Sequence, residues 1–451
     1  MRAKSRTMIE GPLLPSIISY TVPIILTSVL QLLFNAADLV VVGRFCGSIS
    51  VAAVGATGSI TNLIVTLFIG LSVGAGVTVA HALGGREDQA VHNTVHTAIP
   101  LALLSGIFLT VVGIVSSRSL LQMMGTPETV LPLSAVYMQI YFAGITFTML
   151  YNFCAAILRA AGDTKSPLVY LTFSGVVNVV LNLIFVTVLH MNVAGVALAT
   201  TISQAISALL VMRALMLRTD ACKLDLKKMR FHRQQLMKMI RIGLPAGMQS
   251  SLFAISNVMI QSSVNSFGDI FMSGNAASGN IEGFVYVSLN AFHQTAVNFI
   301  GQNSGARQYK RITKTLWICL ACCVVVGLSL GTLIWSFGPQ LLSVYITDSA
   351  EAIGYGMIRM TYIALPYFLC GLMDVSTGAL RGLGSSFTPM LISVLGVCGI
   401  RIFWISTLFQ LPQFHTPQFL YSSYAFSWTV TFLCQMTAFY FVFRKFVKVH
   451  G

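Results

Sequence analysis

Charged residues are scarce in this sequence. Only 9% of its 451 residues are Asp, Glu, Lys or Arg, and 55% are apolar, whereas an ordinary soluble domain carries about 25% charged residues. A chain with so few charges cannot cover a water-facing surface. The composition therefore excludes a soluble multidomain enzyme.

Acidic residues are scarcer than basic ones. The chain has 13 Asp and Glu against 27 Lys and Arg, which gives a net charge of +14. A nucleic-acid-binding protein would gather such an excess on one face or along one helix. Here the basic residues are spread over seven short segments between apolar runs. We therefore expect no nucleic-acid partner.

Enzyme signatures are also missing. The chain has no G-x-x-x-x-G-K-[ST] phosphate loop, which excludes ATP as an energy source within it. The pattern G-x-S-x-G occurs at 70–74 and 327–331, but inside long apolar runs, where the strand-to-helix turn of a nucleophile elbow cannot form. The small residues there predict close helix packing instead. His92 and His96 have the spacing of two zinc ligands on a helix, but no third ligand lies nearby in the sequence, so we expect no metal site there. We expect no enzymatic activity.

Long apolar runs are what the sequence does contain. Spanning about 30 Å of hydrocarbon takes roughly 20 apolar residues, and twelve stretches meet that length without the alternation of a membrane barrel. The chain is thus predicted to be an all-α integral membrane protein with twelve transmembrane helices. The predicted spans are 17–43, 51–80, 93–116, 131–155, 166–189, 193–217, 242–267, 274–300, 315–337, 355–379, 386–409 and 418–443.

The basic residues indicate the orientation of these spans, because cytoplasmic loops carry the excess of Lys and Arg. With the N-terminus inside, only Arg44 and Arg118 fall on the outer side, and Arg359 and Arg401 fall within spans. We therefore expect a multi-pass protein of the plasma membrane with both termini in the cytoplasm and no cleavable signal peptide. Most of the nine cysteines lie within spans, where free thiols are expected.

The two halves of the chain resemble each other. Residues 158–167 (LRAAGDTKSP) align with residues 380–389 (LRGLGSSFTP) at an offset of 222, and Gly84 and Arg86 align with Gly305 and Arg307 at 221. We predict an N-terminal six-helix lobe over 1–220, a basic cytoplasmic linker over 221–241 and a C-terminal six-helix lobe over 242–451. Because six is even, the lobes should be related by a pseudo-twofold along the membrane normal, around a central cavity.

The sequence also resembles a known family, the multidrug and toxic compound extrusion (MATE) transporters. The resemblance is carried by residues 35–47 (NAADLVVVGRFCG), the Gly84-Gly85-Arg86 turn, residues 158–164 (LRAAGDT) and the pair Asn178 and Asn182. It implies export of organic, mostly cationic or amphiphilic compounds, drugs included, against inward H⁺ or Na⁺ flow. Beyond these small molecules and the lipid bilayer, we infer no cofactor and no obligate protein partner. A lipid-linked precursor flippase of the same broad superfamily stays an alternative.

Ionisable groups are costly inside a bilayer and are therefore functional candidates. Only three carboxylates lie well inside predicted spans, and one of them is Asp38. At 1.5 Å per residue, several polar residues come out at its level, about 18–24 Å above the cytoplasmic edge. We predict a cation-coupling site formed by Asp38, Tyr137, Asn178, Asn182, Thr200 and Thr201. Its oxygens suit Na⁺, held at Asp38 and Asn178, or a proton on Asp38. The resemblance implies a cation site at Asp38, Asn178 and the threonine region, and Asn182 stands where some members of the family carry a second acid.

The other two intramembrane carboxylates, Glu282 and Asp374, lie in the C-terminal half with Arg401. An unpaired arginine in lipid is costly, so we expect Arg401 to face inward and pair with Glu282. Glu282, Asp374 and Arg401 are our candidates for substrate binding or coupling in this lobe. Structural ion pairing is the competing interpretation.

Overall fold

The computed structural model describes residues 8–347 and 349–450, except for the side chains of Ser59 and His450. Three basic residues used in the orientation argument, Arg2, Lys4 and Arg6, lie outside the described residues. Every regular element in the described ranges is helical.

Sixteen α-helices follow one another along the described chain. They are α1 (Leu13–Phe45), α2 (Ser48–Gly84), α3 (Asp88–Met123), α4 (Leu131–Ala143), α5 (Ile145–Ala160), α6 (Lys165–Leu183), α7 (Asn192–Met216), α8 (Arg233–Asn265), α9 (Asp269–Gly305), α10 (Tyr309–Ser336), α11 (Gly338–Tyr345), α12 (Ala350–Arg359), α13 (Tyr367–Gly382), α14 (Phe387–Ser393), α15 (Ile400–Ser406) and α16 (Pro417–His450). Three π-helical turns, Ile184–Val188, Met360–Ala364 and Val394–Gly399, continue or join helices.

These helices account for the twelve predicted spans. In the described ranges, nine helices are long and apolar enough to cross a membrane, and α4 with α5 forms a tenth span bent by 45°. The remaining two predicted spans fall on α8 and α9, which have 33 and 37 residues but carry more polar side chains. At about 1.5 Å per residue, both exceed the thickness of the hydrocarbon core.

The internal repeat is visible in the backbone. Helices α1 and α8 both have 33 residues, and α2 and α9 both have 37. Arg86 and Arg307 adopt left-handed φ values of 57° and 56°, and Gly162 and Gly384 adopt 86° and 85°. Positive φ is uncommon for an arginine, so its recurrence at equivalent turns marks the same local fold in both halves.

The chain divides into two compact units, the first covering Val22–Gly247 and the second Met8–Thr21 and the chain from Met248 onward. The division passes through α1 and α8, the equivalent first helices of the two halves. The lobe boundaries and the cavity expected from the sequence stay predictions. Within the first unit, one buried apolar cluster joins α2, α3, α5 and α7.

Glycines let two helices of the first unit touch. A Cβ at Gly70 of α2 would lie 2.3 Å from the backbone nitrogen of Gly247, and one at Gly74 would lie 2.1 Å from the carbonyl oxygen of Met239. Gly70 and Gly74 on α2 therefore face Gly243 and Gly247 on α8. The prediction that the G-x-S-x-G pattern at 70–74 serves close helix packing is confirmed.

The basic segment between α7 and α8 is held on α3. His96 is fully buried; its Nε2 accepts a hydrogen bond from the backbone N–H of Asp225 (3.0 Å), and its Nδ1 lies 2.7 Å from the carbonyl oxygen of His92. The Thr97 hydroxyl accepts from the backbone N–H of His232 at 3.1 Å. Both ring nitrogens of His96 are thus engaged with backbone, and His96 and Thr97 together anchor this loop.

Candidate functional site

Asp38 lies in a network of polar side chains within the first unit. Asn182 Nδ2 donates to Asp38 Oδ1 at 2.5 Å, and Thr200 Oγ1 donates to Asp38 Oδ2 at 3.3 Å. Asn182 Nδ2 also lies 3.3 Å from Asn178 Oδ1, and Asn178 Nδ2 lies 3.4 Å from Thr200 Oγ1. Four of the six predicted coupling residues are therefore in one hydrogen-bonded cluster, which we call the Asp38 cluster.

Three helices bring the Asp38 cluster together. Asp38 lies on α1, and Thr200 lies on α7. Asn178 and Asn182 lie one turn apart on α6, on the same helix face, as the i, i+4 spacing predicts. Asn178 is 4% exposed and Asn182 is fully buried. The π-helical turn Ile184–Val188 begins two residues after Asn182, and such turns are frequent at functional sites.

The oxygen atoms of this cluster determine its chemistry. The carboxylate of Asp38 accepts two hydrogen bonds, while Asn182 Oδ1 is buried and finds no hydrogen-bond partner in the part of the chain that the structure describes. Carboxylate, amide and hydroxyl oxygens are ligands for hard cations. Among the described residues, no three His, Cys, Asp or Glu side chains gather as a metal-binding group. The arrangement can take a single monovalent cation or a proton on Asp38.

The other two predicted members lie apart from these contacts. Thr201 Oγ1 donates to the carbonyl oxygen of Ile140 at 3.3 Å and packs where Gly144 separates α4 from α5. Tyr137 packs against the apolar cluster that contains Val41 and Val186, and it makes no hydrogen bond to Asp38 within the described chain. Tyr137 is a neighbour of the Asp38 cluster, and Thr201 faces a different helix.

In the second unit, Glu282 is paired with Arg359 and not with Arg401. Arg359 Nη2 lies 2.9 Å from Glu282 Oε2, and its Nε lies 3.1 Å from Glu282 Oε1. Ser278 Oγ also donates to Glu282 Oε1, at 2.8 Å. The predicted pair of Glu282 and Arg401 is therefore wrong. Depth along the helices could not distinguish two arginines on different helices, and helix packing selected Arg359.

Asp374 belongs to a separate polar group of this unit. Its carboxyl group interacts with the side chain of Asn290 and electrostatically with Arg381. His293 Nδ1 lies 2.7 Å from the backbone carbonyl of Asp374, and Arg381 Nη2 donates to Gln249 Oε1 at 2.8 Å. Asp374 is therefore compensated by neighbours of its own and is not brought together with Glu282.

Arg401 occupies a third position, between α15 and α16. Its Nε donates to Ser427 Oγ at 2.9 Å, and its guanidinium carbon lies 3.9 Å from the ring centroid of Tyr424 and 5.5 Å from that of Trp428. Thus the three candidates of the C-terminal half, Glu282, Asp374 and Arg401, occupy three different environments.

Sequence reasoning missed several partners of these groups. Arg359 was recognised as an intramembrane cation, but Asn275 and Tyr421, which share a hydrogen bond of 2.9 Å beside it, were not singled out. The sequence did contain a signal for the aromatic residues beside Arg359 and Arg401. Tyr421, Tyr424 and Trp428 follow the i, i+3, i+7 spacing of one helix face.

Comparison with known proteins identifies the family. The family model MatE matches residues 23–184 and again residues 245–405, so the two matches begin 222 residues apart and end 221 apart, which confirms the internal repeat. The chain therefore belongs to the MATE (multidrug and toxic compound extrusion) family. It is a multi-pass membrane transporter and not an enzyme.

Individual relatives agree with this assignment. The probable multidrug resistance protein YpnP of Bacillus subtilis strain 168 is 27% identical over 403 residues, which cover 89% of this chain and 88% of that protein. The probable multidrug resistance protein YoeA of the same strain is 27% identical over 391 residues, covering 85% and 84%. The solved structure of a multidrug resistance MATE family transporter in an outward-facing conformation has the same fold, with a TM-score of 0.90 at 19% identity over 99% of both chains.

Proposed function

We propose that this transporter exports organic amphiphilic compounds, mostly cationic ones and drugs among them, in exchange for an inward flow of H⁺ or Na⁺. We place it in the plasma membrane with both termini in the cytoplasm, on the distribution of its basic residues. The relatives whose names refer to multidrug resistance support the substrate class.

The observation that carries the coupling proposal is the Asp38 cluster. A carboxylate held by an amide and a hydroxyl inside a membrane helix bundle is the kind of intramembrane group that marks ion pathways. A proton on Asp38 would neutralise the carboxylate and turn one of its oxygens into a donor. For that donor, the unpartnered Asn182 Oδ1 is a nearby acceptor.

Sodium would use the same oxygens. Asp38 supplies two carboxylate oxygens, and Asn178, Asn182 and Thr200 supply one oxygen each. Either ion changes the charge at Asp38 and the orientation of the side-chain amides around it. Coupling then requires that the ion and the substrate bind with different affinities to the two states of the transporter.

Substitution of Asp38 tests this proposal in proteoliposomes that export ethidium under an imposed pH gradient or an imposed Na⁺ gradient. In Asp38→Asn, gradient-driven export should fall about tenfold or more, with membrane insertion and thermal stability retained. The gradient that drives the wild type identifies the ion.

The matched control is Asp163→Asn in the same unit. Asp163 caps the start of α6, where its carboxylate accepts from the backbone N–H of Ser166 at 3.0 Å, and an asparagine can make the same contact. Export by this variant should follow the wild type. Gradient-driven export at wild-type rate in Asp38→Asn would refute the coupling role.

A further inference from the structure

Arg401 is a buried cation that has no counter-ion among the residues that the structure describes. It is 4% exposed, and the ion pairs of the described chain involve other cations, namely Arg218, Lys228 and Arg359. Its Nη2 is buried and has no hydrogen-bond partner in the described ranges. A guanidinium has five N–H donors, so this side chain keeps donor capacity that the described chain does not use.

The other intramembrane charges of the second unit do not supply the missing partner. Glu282 is bound by Arg359 through three hydrogen bonds, and Asp374 interacts with Arg381 and Asn290. Glu282 is thus neutralised by Arg359, and Asp374 interacts with Arg381. Neither carboxylate compensates the positive charge of Arg401. An unpaired charge in the membrane interior is costly, and costly groups kept there are functional candidates.

The surroundings of Arg401 define what kind of ligand would fit. Tyr424 and Trp428 lie against its guanidinium, and Tyr367 adds a third ring at 5.2 Å from Trp428. Tyr424 is only partly buried. A guanidinium edge with an unused N–H recognises the planar, bidentate geometry of a carboxylate. The rings of Tyr424 and Trp428 lie over the guanidinium and hold it in place.

The backbone beside Arg401 is also irregular. The π-helical turn Val394–Gly399 ends two residues before it, and a second π-helical turn, Met360–Ala364, begins directly after Arg359. Such turns are frequent at functional sites. Arg359, which lies beside Tyr421, and Arg401, which lies beside Tyr424, are therefore each next to a π-helical turn.

We propose that Arg401, held in place by Tyr424 and Trp428, forms a subsite for the carboxylate of an organic amphiphile. The substrates would then include zwitterions, whose acidic group binds at Arg401. This inference rests on the proposed function, because it concerns which organic compounds the transporter selects. It adds a preference for an acidic group to a substrate class expected to be mostly cationic.

The test compares two probes that differ only in the carboxylate, norfloxacin and its methyl ester. Their binding to the purified full-length protein in lipid nanodiscs is measured from the fluorescence of the quinolone, with no ion gradient present. The wild type should bind the acid about tenfold more tightly than the ester, the range of one charge-assisted bidentate contact. Arg401→Gln should remove that preference by weakening only the acid.

Arg444→Gln is the matched control, because the Arg444 guanidinium lies 4.4 Å from the ring centroid of Tyr440 on the same helix. It should leave the ratio of the two affinities unchanged. Arg401→Lys keeps the charge but loses the planar fork, so the ratio should fall about threefold; this variant decides the question if Arg401→Gln does not fold.

Equal binding of acid and ester by the wild type, or equal weakening of both by Arg401→Gln, would overturn the inference. Failure of both probes to bind would do the same. Ethidium carries no acidic group, so its export by the wild type and by Arg401→Gln reports the proposed function separately. Loss of ethidium export in the wild type would contradict that function, whatever the quinolone ratio.

Discussion

Thr200 and Thr201 are neighbours in the chain, yet they face different helices. Thr200 donates to Asp38 Oδ2 and lies within hydrogen-bond distance of Asn178, whereas Thr201 donates to the carbonyl oxygen of Ile140. Successive residues of a helix point about 100° apart. Both threonines lie at the depth of Asp38 in the predicted bilayer, so depth cannot distinguish them. They differ in the direction in which each side chain points.

Thr200→Ala should therefore weaken ion coupling. The substitution removes one interhelical hydrogen bond to the Asp38 carboxylate. Such a bond is worth about 0.6 kcal/mol on average in membrane proteins. The ion concentration that gives half-maximal export should therefore shift about threefold. Ethidium export measured over a series of H⁺ or Na⁺ concentrations checks this. In Thr201→Ala the same curve should keep its midpoint, and equal shifts in the two variants would contradict the geometry of the Asp38 cluster.

The sequence also could not specify which arginine forms an ion pair with Glu282. The cost of an intramembrane arginine led to the prediction that Arg401 would pair with Glu282, whereas Glu282 is paired with Arg359. It could not select between Arg359 and Arg401, since both lie within predicted spans. Removing Glu282 would leave Arg359 as an uncompensated charge, so a transport defect in Glu282→Gln would not by itself distinguish substrate binding from structural ion pairing.

At the scale of elements, close contact between helices depends on glycines four residues apart. Gly70 and Gly74 face Gly243 and Gly247 so closely that a single added methyl group would meet backbone atoms. Membrane helices gain packing energy from such small-residue contacts, because lipid provides no hydrophobic driving force between them. The same spacing at 327–331 brings Gly327 against Phe368 and Gly331 against the carbonyl of Ala364.

Gly70→Ala should destabilise the protein by about 1–3 kcal/mol, because the added Cβ would lie 2.3 Å from the nitrogen of Gly247 and the helices must separate. Thermal unfolding of the detergent-purified protein measures the effect. Gly58→Ala is a matched change on the same helix, at a position with no atom within 4 Å of the added Cβ. A midpoint lowered equally by both substitutions would show that helix contact is not the cause.

Three spans differ from the uniform spans that hydropathy predicts. The predicted span 131–155 is two helices, α4 and α5, bent by 45° at Gly144, and the spans on α8 and α9 are more polar than the others. Polar residues on α9 such as Glu282 and Asn275 are buried, where partners within the unit satisfy them. Hydropathy registers only the average polarity of a segment, whereas the contacts of each side chain decide whether that polarity is tolerated.

At the scale of the whole molecule, the excess of basic residues predicts an orientation. Glu128 lies in the loop between α3 and α4, which should face outward, and Lys228 lies in the basic segment, which should face the cytoplasm. Both residues are exposed. The positive-inside rule assigns them opposite sides of the membrane.

Labelling of the full-length chain checks this orientation. A membrane-impermeant maleimide applied to intact cells should modify Glu128→Cys above the background of the native cysteines and leave Lys228→Cys unmodified. After lysis both should react. Modification of Lys228→Cys in intact cells would reverse the proposed topology.

The sequence by itself determined the class of fold, the repeat and the residues of interest, because hydrophobic length, charge asymmetry and a constant offset are properties of the chain read in one dimension. It also brought Asp38, Asn178, Asn182 and Thr200 to one level, since rise per residue is constant in a helix. Only the tertiary structure decided which side chains meet. Pairing of Glu282 with Arg359, the separation of Thr201 and the missing counter-ion of Arg401 depend on how each helix is rotated against its neighbours. That rotation follows from packing between helices, which no single helix encodes.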